Sequence, residues 1–151
     1  MQGSPDVQNV RVLIVDDHAP LRQVLVQTLT LEPGIEIVGQ AENGRQAAEM
    51  AAELVPDVIL MDVIMPEMNG IEATRQIARQ DPGIGIIGFS VHCSDFYART
   101  MLEAGARAYL LKDGDIDELL EAIRTVWEGG TYLSEEFRRL ARTHTKMTSC
   151  R

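Results

Sequence analysis

Five side chains able to do chemistry close short apolar runs in this 151-residue chain. Asp16 and Asp17 follow Val12-Leu13-Ile14-Val15, Asp62 follows Val58-Ile59-Leu60-Met61, Ser90 follows the run from Ile84 to Phe89, and Lys112 follows Ala108-Tyr109-Leu110-Leu111. Taken singly, each has an ordinary explanation: an aspartate after a strand commonly caps a helix or makes a turn, and a lone lysine is usually solvated. Taken together they define a chemistry. Three converging carboxylates repel each other, by about 4 kcal/mol for a pair roughly 4 Å apart at an effective dielectric near 20. A hard divalent cation with oxygen ligands offsets that, and Mg2+ favours a few carboxylates completed by waters and a phosphate. Lys112 adds a point positive charge and Ser90 a hydroxyl donor, the groups that stabilise phosphoryl oxygens as charge develops. Aspartate is a covalent acceptor of phosphoryl groups. Asp62 is the best nucleophile, because it stands alone at its strand end and leaves Asp16 and Asp17 to hold the metal.

That chemistry requires the five residues to meet, and the elements between them can bring this about. Apolar runs at Val12–Val15, Ile35–Val38, Val58–Met61, Ile84–Phe89 and Ala108–Leu111 read as five strands. They are continuously apolar, so both faces of the sheet are expected to be covered, as in a parallel α/β sheet. Strand starts recur roughly every 22 to 27 residues, the length of a strand, a helix and two tight loops. Leu21, Val24, Leu25, Thr28 and Leu29 repeat at helical spacing, as do Ala47, Ala48, Ala51 and Leu54, and later Ile116, Leu119, Leu120, Ile123 and Val126. Asn69 and Ser94 are placed to cap two further helices, and Gly129-Gly130 to end the last. Right-handed crossovers then predict a doubly wound (βα)5 unit with strand order 2-1-3-4-5, strands 1 and 3 central, and a ligand site outside their carboxyl ends.

Composition limits the alternatives. With 45% hydrophobic and 25% charged residues the chain reads as one globular domain. It divides into a tail at 1–8, a domain at 9–130, and a 131–151 segment with a short helix over Ser134–Ala141 and a linker-like basic tail. No apolar stretch approaches the roughly 18 to 20 residues needed to cross a bilayer, and the polar opening does not read as a secretory signal, so a cytoplasmic protein is expected. Cys93 and Cys150 lack metal-ligand spacing. Net charge is −9, and all 23 acidic residues lie at or before Glu136, whereas Arg138, Arg139, Arg142, Lys146 and Arg151 make the end basic. The acidic portion is a poor nucleic-acid binder by itself.

The segments Val12–His18, Asp57–Glu72 and Gly105–Asp113 resemble the receiver domain of bacterial two-component response regulators over about residues 9 to 130. The resemblance implies a flavodoxin-like parallel five-stranded sheet. It implies that Asp62 accepts a phosphoryl group from a phosphohistidine on a sensor histidine kinase. Asp17 and Asp62 would bind Mg2+ directly, Asp16 through water and Ile64 through its backbone carbonyl. Ser90 and Lys112 would contact the transferred group, and Tyr109 would change rotamer as Ser90 is drawn inward, altering the face made by helix 4, strand 5 and helix 5. Such a protein is a signalling switch, not an enzyme, beyond promoting its own phosphorylation and dephosphorylation.

Lys112-Asp113-Gly114, Gly129-Gly130 and Tyr132-Leu133-Ser134 are similar to the NarL/FixJ (LuxR-type) subgroup. There a helix-turn-helix output domain binds DNA, and this sequence is too short past its last helix to hold one. DNA contact is thus expected only through an absent output domain, with homodimerisation a further expectation and a stand-alone receiver the alternative. Ile64 and His92 occupy positions that tune phosphoryl lifetime in the family. A Mg2+-dependent aspartyl-phosphate phosphatase of the haloacid-dehalogenase kind fits less well, since its acid catalyst would fall at Ile64, which moves no proton. A flavin-type cofactor binder would need a Ser/Thr/Gly-rich phosphate cradle where the chain has Asp16-Asp17-His18.

Overall fold

The computed structural model describes residues 9–91, 94–134 and 138. Strands β1 (Val10–Val15), β2 (Ile35–Ala41), β3 (Val58–Met61), β4 (Gly85–Ser90) and β5 (Ala108–Leu111) alternate with helices α1 (Ala19–Thr30), α2 (Gly44–Leu54), α3 (Gly70–Gln80), α4 (Asp95–Ala104) and α5 (Ile116–Trp127). The sheet is wholly parallel in the order β2-β1-β3-β4-β5-β6. The expected 2-1-3-4-5 order holds. The five-stranded expectation is corrected by a sixth strand, β6 (Tyr132–Leu133), in the segment read as helix and linker.

The alternation of side chains along each strand explains why continuous apolar runs were needed. Leu13, Val15, Ile59, Met61, Ile86 and Tyr109 point to one face, under Ala47, Ala51, Ala73, Ile77, Ala98 and Met101 of α2, α3 and α4. Val12, Ile14, Val58, Leu60, Ile87, Phe89 and Leu110 point to the other, under Leu25, Leu29, Leu119, Ile123 and Val126 of α1 and α5. Small residues on α2 let it lie close to the sheet, and the full burial of both layers is the main stabilising contribution.

The helix starts follow local chemistry. Asn69 accepts from the Glu72 N–H at 2.9 Å and Ser94 from the Phe96 N–H at 3.2 Å, the two caps expected. Asn43 caps α2 in the same way through the Gln46 N–H at 2.8 Å. Gly129, at φ +96°, terminates α5 and turns the chain toward β6. There Tyr132 donates its N–H to the Arg107 carbonyl at 2.9 Å, and Leu133 stands opposite Tyr109. The helix expected over 134–141 rests on residues 135–137 and 139–141, and His92 and Cys93 likewise lie outside the described residues. Among the described residues no helix is long and apolar enough to cross a membrane.

Candidate functional site

The carboxyl ends of the two central strands place the acids together. β1 delivers Asp16 and Asp17 and its neighbour β3 delivers Asp62, whose N–H donates to the Val15 carbonyl at 3.0 Å. One carboxylate oxygen from each of the three lies within 4.8 Å of the others. Asp16 and Asp62 are buried and Asp17 is exposed. Lys112, arriving from the end of β5, places its Nζ 2.6 Å from Asp16 Oδ2 and 3.3 Å from Asp62 Oδ2, with its side chain only 8% exposed. The remaining Asp16 oxygen accepts the His18 N–H at 2.8 Å.

These groups line a crevice of about 250 Å3 whose mouth carries two exposed apolar side chains, Ile64 and Val91. Burial pushes the Asp62 carboxyl up to about 7; Lys112 opposes this, and Asp16 and Asp17 reinforce it. Removal from water disfavours the anion, and one ammonium shared by two acids does not offset the loss. The donor set is all hard oxygen, so it fits a divalent cation such as Mg2+, which would return Asp62 to its anionic, nucleophilic form.

Ser90 ends β4 and is buried, yet it does not line the crevice. Its carbonyl accepts the Lys112 N–H at 2.8 Å, and its side chain hydrogen-bonds to Tyr109. The Tyr109 ring is fully buried, and burial pushes its hydroxyl up to about 12. It fills the space left by Gly88 on β4, where an added Cβ would stand 2.7 Å from the Tyr109 ring. Among the described residues, the site residues expected from the sequence lie at this end of the sheet in two adjoining groups: the acids, Lys112 and Ile64 around the crevice, and Ser90 with Tyr109 behind it.

Three residues escaped sequence reasoning. Gly70 donates its N–H to the Val63 carbonyl at 2.7 Å, and a Cβ there would stand 1.9 Å from the Asp62 carbonyl oxygen, so the loop after Asp62 closes only over a glycine. Gly88 makes room for Tyr109. Arg22 of α1 donates to the Asp16 main-chain carbonyl. The glycines carried no signal beyond residue type, and an arginine on a helix's polar side is read as solvated.

The chain matches the family model of the response regulator receiver domain over residues 12–124. It is 37% identical over 148 residues to the transcriptional regulatory protein DegU of Brevibacillus brevis, covering 93% of this chain and 63% of that one. It is 40% identical over 124 residues to the nitrate/nitrite response regulator protein NarL of Escherichia coli (strain K12), covering 82% and 57%. The crystal structure of a LuxR-family two-component response regulator from Aurantimonas sp. SI85-9A1 superposes with a TM-score of 0.86 at 31% identity, covering 92% of this chain and 100% of that one. The chain belongs to the response regulator receiver domain family, and its relatives are NarL/LuxR-type regulators. It spans about three-fifths of the length of the curated relatives it matches.

Proposed function

We propose that Asp62 is the phosphoacceptor of a phosphorelay, loaded from a phosphohistidine on a sensor histidine kinase. One Asp62 carboxylate oxygen attacks phosphorus in line, the P–N bond breaks, and its electron pair returns to the imidazole, which takes up a proton. When bound, Mg2+ would neutralise negative charge on the carboxylates and the phosphoryl group. Asp17, Asp62 and the Ile64 carbonyl would hold it. Asp16 would act through water, in keeping with the commitment of both its oxygens to His18 and Lys112.

Lys112 then turns from the carboxylates to a phosphoryl oxygen, and the Ser90 hydroxyl is drawn toward another. Tyr109, already buried and hydrogen-bonded to Ser90, is held in that inward position as Ser90 shifts, and the face formed by α4, β5 and α5 reports the change. The observation that carries this reading is the Lys112 ammonium shared between Asp16 and Asp62 at the crevice floor. In a longer regulator the output is transcriptional, through a DNA-binding domain outside this sequence, with a homodimer as the active assembly; the setting is cytoplasmic.

Incubation with Mg2+ and acetyl phosphate tests the proposal by intact mass. One phosphoryl group should be added to the wild type and none to Asp62→Asn. Absence of labelling in a wild-type protein that binds Mg2+ overturns it.

A further inference from the structure

The Asp16 carbonyl oxygen is gripped by a side chain that reaches it from outside the crevice. Arg22, on the first turns of α1, donates from Nη1 to that oxygen and from Nε to Oε1 of Gln40 at 3.2 Å. Gln40 lies on β2, beside Ile14 of β1, and so anchors the guanidinium from the neighbouring strand. We propose that Arg22 is a positioning residue for the metal-binding aspartates, fixing the plane of the Asp16–Asp17 peptide and with it the direction in which Asp17 presents its carboxylate. This rests on the reading of the crevice as a Mg2+ site.

A peptide unit is a rigid plane, so holding the Asp16 carbonyl fixes the direction in which the Asp17 N–Cα bond leaves it. Asp16 has other restraints: its N–H donates to the Ala41 carbonyl at 3.0 Å, and its carboxylate meets His18 and Lys112. Asp17 is exposed, so the direction of its carboxylate depends on the backbone that carries it, and the peptide plane must aim it at the crevice. A guanidinium suits this task, because its planar fork serves the carbonyl and Gln40 at once without occupying a carboxylate oxygen that the metal needs.

Charge and position predict opposite signs. If Arg22 acted only as a nearby positive charge, it would repel a cation, and removing it would tighten Mg2+ binding. If it positions Asp17, removing it weakens binding, by about tenfold, the lower end of what loss of an outer-sphere partner costs at metal sites. Calorimetric titration with MgCl2 of the wild type, Arg22→Met, Arg22→Lys and Gln40→Ala decides between them, with circular dichroism checking that each variant is folded. Arg22→Met should bind about tenfold more weakly. Arg22→Lys, with the charge and one donor retained, should fall between it and the wild type. Gln40→Ala should weaken binding several-fold although no charge changes. Equal or tighter binding in Arg22→Met overturns the inference. Should that variant not fold, unchanged affinity in Gln40→Ala overturns it instead. A wild type that binds no Mg2+ refutes the site reading itself, and is told apart by failing before any variant is compared.

Discussion

Lys112 and Asp16, separated by 96 positions in the chain, meet at 2.6 Å between Nζ and Oδ2, and the same ammonium lies 3.3 Å from Asp62. Replacing Lys112 with methionine leaves buried carboxylates without their cation. Removing one partner of such a buried set costs about 3 to 5 kcal/mol. Urea denaturation at pH 8 in EDTA should show a loss of about that size. The loss should shrink at pH 5, where Asp62 carries a proton, and in saturating Mg2+. A stability unchanged at pH 8 would mean that Lys112 is dispensable for holding the acids together.

Asp62 has the opposite influence. Its folded carboxyl titrates near 7 against 3.8 for the ordinary group. Between those values the unfolded chain has released a proton that the folded one retains, so this group's contribution to stability falls as pH rises from about 4 to 7. Asp62→Asn lacks the effect. Without metal, its stability relative to wild type should therefore rise across that window and level off above it. The ceiling is about 4 kcal/mol for some three units at roughly 1.36 kcal/mol each. A difference that stays flat from pH 4 to 8 in parallel denaturation series would refute the assignment.

The loop that follows Asp62 offers a steric test. A methyl at Gly70 would stand 1.9 Å from the Asp62 carbonyl oxygen and 2.9 Å from Val63 Cα, both of them backbone that cannot yield as a flexible side chain does. Gly70→Ala should lower stability by about 2 kcal/mol or more and slow labelling of Asp62 by acetyl phosphate. Wild-type melting temperature and labelling rate would show that the loop shifts freely.

Val55 carries local strain. It caps the end of α2 at φ 47° and ψ 64°, a left-handed conformation, and the residue is 51% exposed. A β-branched residue there costs about 1 to 2 kcal/mol, and asparagine tolerates the region better. Val55→Asn should raise stability by about 1 kcal/mol in thermal or urea melts and leave Mg2+ affinity unchanged. A lower stability would show that the valine methyls contribute more packing than their exposure suggests.

Ile64 is 45% exposed and lines the crevice beside Asp62, so on the proposed reading it would exclude water from a phosphoryl group there. Ile64→Asn should hasten loss of that group several-fold, measured as decay of the phosphorylated mass after the donor is removed. An unchanged decay rate would sink the idea.

Much of the fold was legible because its signals are local. Continuous apolar runs mark strands covered on both faces, and Asn69, Ser94 and Gly129 mark helix ends through hydrogen bonds and dihedrals reaching only two or three residues. β6 was not legible: two residues are too few to form a run, and Tyr132 and Leu133 become a strand because the edge of β5 offers unpaired backbone to meet them. Arg22 was not legible either, since its acceptors lie on β1 and β2 and its own helix gives no hint of them.

The sequence by itself determined the (βα)5 plan and which side chains end the strands, because both follow from residue type and spacing along the chain. Only the tertiary structure decided that Lys112 is shared by two acids, that Tyr109 is wholly buried against Gly88 and bonded to Ser90, and that Arg22 grips the Asp16 carbonyl. Each of these depends on distances between strands and helices remote in sequence, set by packing on the two faces of the sheet.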